Sequence, residues 1–253
     1  MSKKLAFYEM PVVYQVPGMD AVQAQHDIVY KTVEETRLGL DIYSPPGMPK
    51  DAGFPGVLLV HGGPIPPNTS PLPKDWAAFA SCGRLLAASG LVGVTFNYRY
   101  YSSTDLTTPG ADIAAALHYV REHRKAWGLA ANRLCVWIFS GAGRLLPFIL
   151  HDALDWMTCL VTYYALLDLP QDKATDELLS RAFKLPIFVA KAGLDHPNIN
   201  LSIDHFAQKA RAAQAQVELM EHAQGHHGFD IFDDDARSRE IVARTIAFIK
   251  AHV

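Results

Sequence analysis

A chain of 253 residues with 49% hydrophobic content can bury a large core, and at this length an α/β chain is expected to form one domain over residues 1–253. A charged fraction of 19% and a net charge of -3 exclude a disordered chain and a polyanion-binding surface. With no basic run longer than Lys3-Lys4, no nucleic-acid partner is expected. No segment has the apolar length of a membrane span, and Glu9 and Pro11 interrupt the N-terminal stretch before it can read as a secretory signal. The odd set Cys82, Cys135 and Cys159 lacks paired spacing and suggests free thiols in a reducing compartment. A cytoplasmic protein without a membrane partner is the expectation, and the composition leaves its oligomeric state open.

In chain order, Asp27-Ile28-Val29-Tyr30 and Leu38–Tyr43 flank a polar turn and predict an antiparallel hairpin at a sheet edge, over about 27–43. The apolar run Val57–Val60 leads into His61-Gly62-Gly63-Pro64. Glycines there let the backbone approach a ligand and aim amide groups at it, so Gly62 and Gly63 are candidate donors, whereas Pro64 has no N–H. The plainer alternative is a strand-end turn with His61 bonding locally. The proline-rich stretch Pro64–Pro73 reads as a stiff surface loop beside the same point.

Further apolar runs follow at Leu91–Phe96, Leu134–Phe139, Cys159–Tyr164, Ile187–Ala190 and Val217–Met220. Between them, Ile113, Ala116, Leu117 and Val120 recur at helical spacing behind a Thr108 cap and a first-turn Pro109. The spacing repeats at Ile203, Phe206, Ala207 and Ala210, and again at Val242, Thr245, Ile246 and Ile249. Continuous apolar runs alternating with amphipathic stretches imply βαβ units and an α/β fold, a parallel sheet with helices on both faces.

The run ending at Phe139 meets Ser140-Gly141-Ala142-Gly143. A strand that stops at a small-residue turn and continues as a helix lifts one side chain to the carboxyl rim of a sheet, which is where a nucleophilic serine is needed. The chain departs from Gly-x-Ser-x-Gly, with Ile138 at the first glycine position and Gly143 one residue beyond the second, which Ala142 occupies. Pro147 falls in the following helix, where it would remove a hydrogen bond and kink the axis. Ser140 as a helix cap is the competing reading.

Asp195 follows the run ending at Gly193, on the same rim, with Asp168 as rival acid or Asp195 as a helix cap. After the last run comes Glu221-His222-Ala223-Gln224-Gly225-His226-His227-Gly228-Phe229-Asp230, where His227 is preferred to His226 as general base. A metal cluster of His222, His226 and His227 is the alternative, and the lack of HExxH weighs against it. Ser140, Asp195 and His227 stand in the chain order of an α/β-hydrolase triad, with Gly141 as second oxyanion donor.

On the segments VHGG, NYRY, WIFSGAG, AGLDHPNIN and GHHGFD, the chain from about Asp27 to Ile249 resembles the α/β-hydrolase superfamily, within it the small esterase and dienelactone-hydrolase-like proteins. The resemblance implies an eight-stranded, mostly parallel sheet, a triad at Ser140, Asp195 and His227, and no cofactor. Dienelactone hydrolases proper use a cysteine nucleophile, so Ser140 aligns the chain with the serine esterases. Hydrolysis of small acyl or aryl esters is expected, with walls from Tyr100, Tyr164 and Trp76. A peptidase or acyltransferase on the same triad, or a non-catalytic hydrolase-like binding protein, are the alternatives.

Overall fold

The computed structural model describes residues 5–47, 49 and 53–253, so the Lys3-Lys4 pair lies outside the described residues. Among the described residues there are eight strands: β1 (Gln23–Val33), β2 (Thr36–Ser44), β3 (Phe54–Val60), β4 (Val92–Phe96), β5 (Leu129–Phe139), β6 (Met157–Tyr163), β7 (Ile187–Ala192) and β8 (Val217–His222). They form one sheet in the order β1-β2-β4-β3-β5-β6-β7-β8. The first two pairings, β1 with β2 and β2 with β4, are antiparallel, and all others are parallel. The hairpin is longer than its apolar pattern predicts because polar Gln23–His26 continues an exposed edge strand across a register shift at Asp27, whose φ is 58°.

Alternate residues of the central strands feed two separate cores. Leu58, Val60, Val136 and Ile138 pack beneath α2 (Thr107–His123), α3 (Leu146–Ala153), α4 (Lys173–Ala182) and α5 (Pro197–Ala212). Val57, Leu59, Cys135 and Trp137 face the other way, against α1 (Ala77–Ala88) and α7 (Ala236–His252). With both faces covered, these strands have no polar side to show, which is why they read as unbroken apolar runs.

From β3 the chain builds β4 on one side and β5 on the other. The sheet order therefore reverses between β3 and β5, and a crevice opens at their carboxyl ends, where ligands bind in open α/β sheets. His61 leaves β3 there and Ser140 leaves β5 there. Two local expectations need correction. Asp105, not Thr108, caps α2, its carboxylate accepting the Thr107 and Thr108 N–H groups at 3.1 and 3.0 Å. Pro147 lies in the first turn of α3, after a 3-10 segment over Ser140–Leu145, so its missing N–H costs no helical bond.

Candidate active site

Ser140 has φ 53°, in the left-handed region that a non-glycine residue enters at a cost of roughly 1–3 kcal/mol. Its carbonyl accepts the Leu166 N–H at 2.9 Å, which helps to hold the turn. A Cβ on Gly141 would come 1.9 Å from the Gly63 oxygen, and one on Gly143 would come 2.5 Å from the Leu166 oxygen. Close packing at this turn thus falls on 141 and 143. Ile138 is fully buried in the same core as Ala142 and occupies ordinary interior space.

The Ser140 hydroxyl makes no capping bond. Its Oγ lies 2.8 Å from His227 Nε2, and His227 Nδ1 lies 2.7 Å from Asp195 Oδ2. Asp195 Oδ1 accepts the His196 N–H at 2.6 Å, and α5 is capped by His196 instead of Asp195. The Asp195 side chain is 3% exposed and that of His227 is 40% exposed. The imidazole thus has a shielded carboxylate on one nitrogen and a hydroxyl on the other.

His226 takes its Nδ1 to Asp233 at 3.1 Å, and His222 takes its Nε2 to Asp235 at 3.0 Å. The three histidines diverge to three carboxylates, and among the described residues no group of three or more His, Cys, Asp or Glu is arranged to hold a metal ion. Asp168 is exposed and lies beside a cavity next to the site.

Opposite the serine, the loop after β3 is fixed by a histidine absent from the triad. His61 is buried, stacks on Tyr98 at 4.1 Å between centroids, and bonds through Nδ1 to the Gly62 carbonyl at 2.7 Å. Burial pushes the His61 imidazole down to about 4, so at neutral pH it is uncharged and Nδ1–H donates. Within a trans peptide the C=O and N–H point oppositely. Holding the Gly62 carbonyl toward His61 therefore turns the Gly63 N–H away from it, and the Gly63 nitrogen is 3.4 Å from where a Gly141 Cβ would sit. Among the described residues neither the Gly62 nor the Gly63 N–H meets an acceptor.

Of the residues expected as pocket walls, Tyr100 and Tyr164 are buried behind the site and Trp76 is half-buried. Tyr100 is 1% exposed and packs behind Gly63, whose Cβ would strike its ring at 2.4 Å, with its hydroxyl donating to the Gly141 carbonyl at 3.4 Å. Tyr164 is 4% exposed and sits beneath His227, ring centroids 4.6 Å apart. Trp76 donates its indole N–H to the Pro71 carbonyl at 2.8 Å and pins the proline-rich loop. A sequence shows that an aromatic is near a rim but not which way it turns.

The cavity beside Asp168 has a volume of about 690 Å³ and lies between the loop after β6 and α5. Leu167, Leu179 and Phe206 form its apolar floor, with Leu166 and His196 toward the serine and the acid. The contribution of α5 is hidden in the sequence, since exposed Asn198 and Leu201 read as ordinary helix surface.

The fold is that of the α/β hydrolases. The BD-FAE family model matches residues 40–150, which include β3, β5 and the Ser140 turn. Carboxylesterase 3 of Homo sapiens is 35% identical over 121 residues, covering 44% of this chain and 19% of that protein. Carboxylesterase 3 of Pongo abelii is likewise 35% identical over 121 residues, covering 44% of this chain and 20% of that protein, so the chain spans about a fifth of these relatives. Among solved structures, a thermophilic esterase of Thermogutta terrifontis superposes with a TM-score of 0.71 at 18% identity, covering 93% of this chain and 94% of that one. The same esterase phosphoramylated by tabun gives a TM-score of 0.71 at 18% identity over 94% of this chain and 98% of that one.

Proposed function

We propose that the chain is a serine hydrolase, a carboxylesterase that cleaves small acyl or aryl esters through an acyl-enzyme. The observation that carries this reading is the bond chain Ser140–His227–Asp195, at 2.8 and 2.7 Å, on a serine held in a strained turn. The esterase relatives support it.

Ser140 Oγ attacks the ester carbonyl while His227 Nε2 takes its proton. The oxyanion accepts from the Gly141 and Gly63 N–H groups, and Asp195 holds the imidazolium. His227 then protonates the departing alkoxide, and the alcohol leaves an acyl group on Ser140. Water attacks this ester with His227 again as base, and the proton returns to Ser140 as the acid departs. The apolar floor beside Leu166 suits the hydrocarbon part of such a substrate. The three buried free thiols support a reducing compartment, and no described helix is long and apolar enough to cross a membrane.

Neither Ile138, in the buried core, nor Pro147, in the first turn of α3, stands in the way of a catalytic Ser140 turn, which weighs against a non-catalytic binding protein. A panel of p-nitrophenyl esters from acetate to octanoate tests the reading. Saturable hydrolysis in wild type, falling by about 10³-fold or more in Ser140→Ala and in His227→Ala, is the expected result. Equal rates in wild type and Ser140→Ala would dismiss it.

A further inference from the structure

Behind His227 lies a carboxylate that this reaction leaves unused. Asp230 is 5% exposed, and its Oδ1 accepts the Tyr164 hydroxyl at 2.8 Å. The Tyr164 ring is the one lying 4.6 Å from the imidazole, so one aromatic side chain touches both groups. Its backbone is held in turn, with φ 36° and its N–H donated to the Ala190 carbonyl at 2.8 Å. Phe229 stacks on Tyr163 and meets Tyr164 edge-on, and the Asp230 carbonyl accepts the Val13 N–H at 2.8 Å. The loop carrying His227 is thus anchored one turn later by Asp230 and its neighbours.

Nothing structural requires a charge at that place. Asparagine would accept the same bond from Tyr164 without the cost of burying an anion. Among the described residues, the groups facing Asp230 are Tyr163 at the end of β6, Tyr164 just after it, Cys82 from α1 and His227 from its own loop. Burial holds the two phenols and the thiol in their neutral forms, raising all three. Of these described groups, only His227 can become cationic. Burial pushes the Asp230 carboxyl up to about 6, and the bond from Tyr164 and a His227 charge both pull it down. It is therefore anionic near neutral pH, when the imidazole has to accept a proton.

We infer that Asp230 is a second positioning carboxylate for His227, tethered by the Tyr164 hydroxyl, whose charge favours the imidazolium formed as Ser140 loses its proton. Asp195 fixes the imidazole in its plane through Nδ1, and Asp230 acts from behind the ring. The inference rests on the serine-hydrolase reading above.

The test compares wild type, Asp230→Asn and Tyr164→Phe between pH 5 and 9. Two rates are followed: fluorophosphonate labelling of Ser140 by intact mass, and hydrolysis of p-nitrophenyl butyrate. In Asp230→Asn the acid-limb midpoint of kcat/KM is expected to fall by about 0.5–1 pH unit. The plateau kcat should drop about three- to tenfold while KM stays within about twofold. Tyr164→Phe keeps the carboxylate and loses its tether, so it should change in the same direction; should Asp230→Asn not fold, this variant decides alone. Labelled wild type with unchanged midpoints in the folded variants would overturn the role of Asp230 and leave the hydrolase reading intact. Wild type that is not labelled at Ser140 would remove that reading and this inference together.

Discussion

Gly63 is packed against the Tyr100 ring and Gly141 against the Gly63 carbonyl, so neither tolerates a methyl group in place, and the two carry the proposed oxyanion donors. In Gly63→Ala the new Cβ must displace the Tyr100 ring or the loop, so the Gly63 amide moves off target. Loss of one such donor typically costs about 3 kcal/mol of barrier, and kcat for a p-nitrophenyl ester should fall about 10²-fold. A Gly63→Ala variant of wild-type kcat would show that this amide is not a donor. At this scale the sequence is informative where chemistry is tied to a strand end. Ser140, Asp195 and His227 all follow predicted strands, so their meeting at one rim was legible. Tyr164 and Asp230 were not, because their roles depend on which way buried side chains turn. His61 was visible as a residue, but its bond to the Gly62 carbonyl and the consequence for the next amide required coordinates.

The loop over Pro64–Pro73 is anchored to the edge hairpin by a buried cation. Lys74 Nζ reaches Asp27 at 2.8 Å, Asp41 at 3.1 Å and Asp75 at 2.5 Å, while its backbone N–H donates to Asn97 Oδ1 at 2.9 Å. These carboxylates hold the ammonium above its ordinary range despite burial. Lys74→Met would leave the Asp41 carboxylate, 2% exposed, without its cation, held only by the His26 imidazole and the Asp27 N–H. Breaking a buried pair by removing one partner costs about 3–5 kcal/mol, so the variant should melt markedly lower and be cleaved faster by protease at the 64–73 loop. An unchanged melting temperature would mean the cluster contributes nothing. Such an anchor is hidden in sequence, since Asp27, Asp41 and Lys74 lie far apart and each reads as surface charge. The strands it joins were legible from their apolar runs, and β1 was underestimated because an exposed edge strand can be polar.

Over the whole molecule, two buried groups titrate in opposite senses across one pH window. His61 is depressed from 6.5 to about 4, so the folded state resists its protonation and stability is lost as pH falls through that range. Asp230 is raised from 3.8 to about 6, so the folded state binds its proton more readily and stability is lost as pH rises through that range. Each shift corresponds to about 3 kcal/mol, and between pH 4 and 6.5 the two contributions nearly cancel. Asp230→Asn unmasks His61: in urea unfolding the variant should match wild type near pH 4 and exceed it by about 3 kcal/mol at pH 8. Equal stabilities at both pH values would show that burying this carboxylate costs nothing. A carboxylate that weakens the fold beside a histidine base is kept more readily for chemistry than for structure.

The proposed chemistry depends on Ser140 being activated by His227, and intact mass after treatment with a fluorophosphonate measures this most directly. One adduct on folded wild type, located on Ser140, and none on Ser140→Ala or His227→Ala is the predicted result. Wild type of unchanged mass, or His227→Ala labelled as fast as wild type, would contradict it.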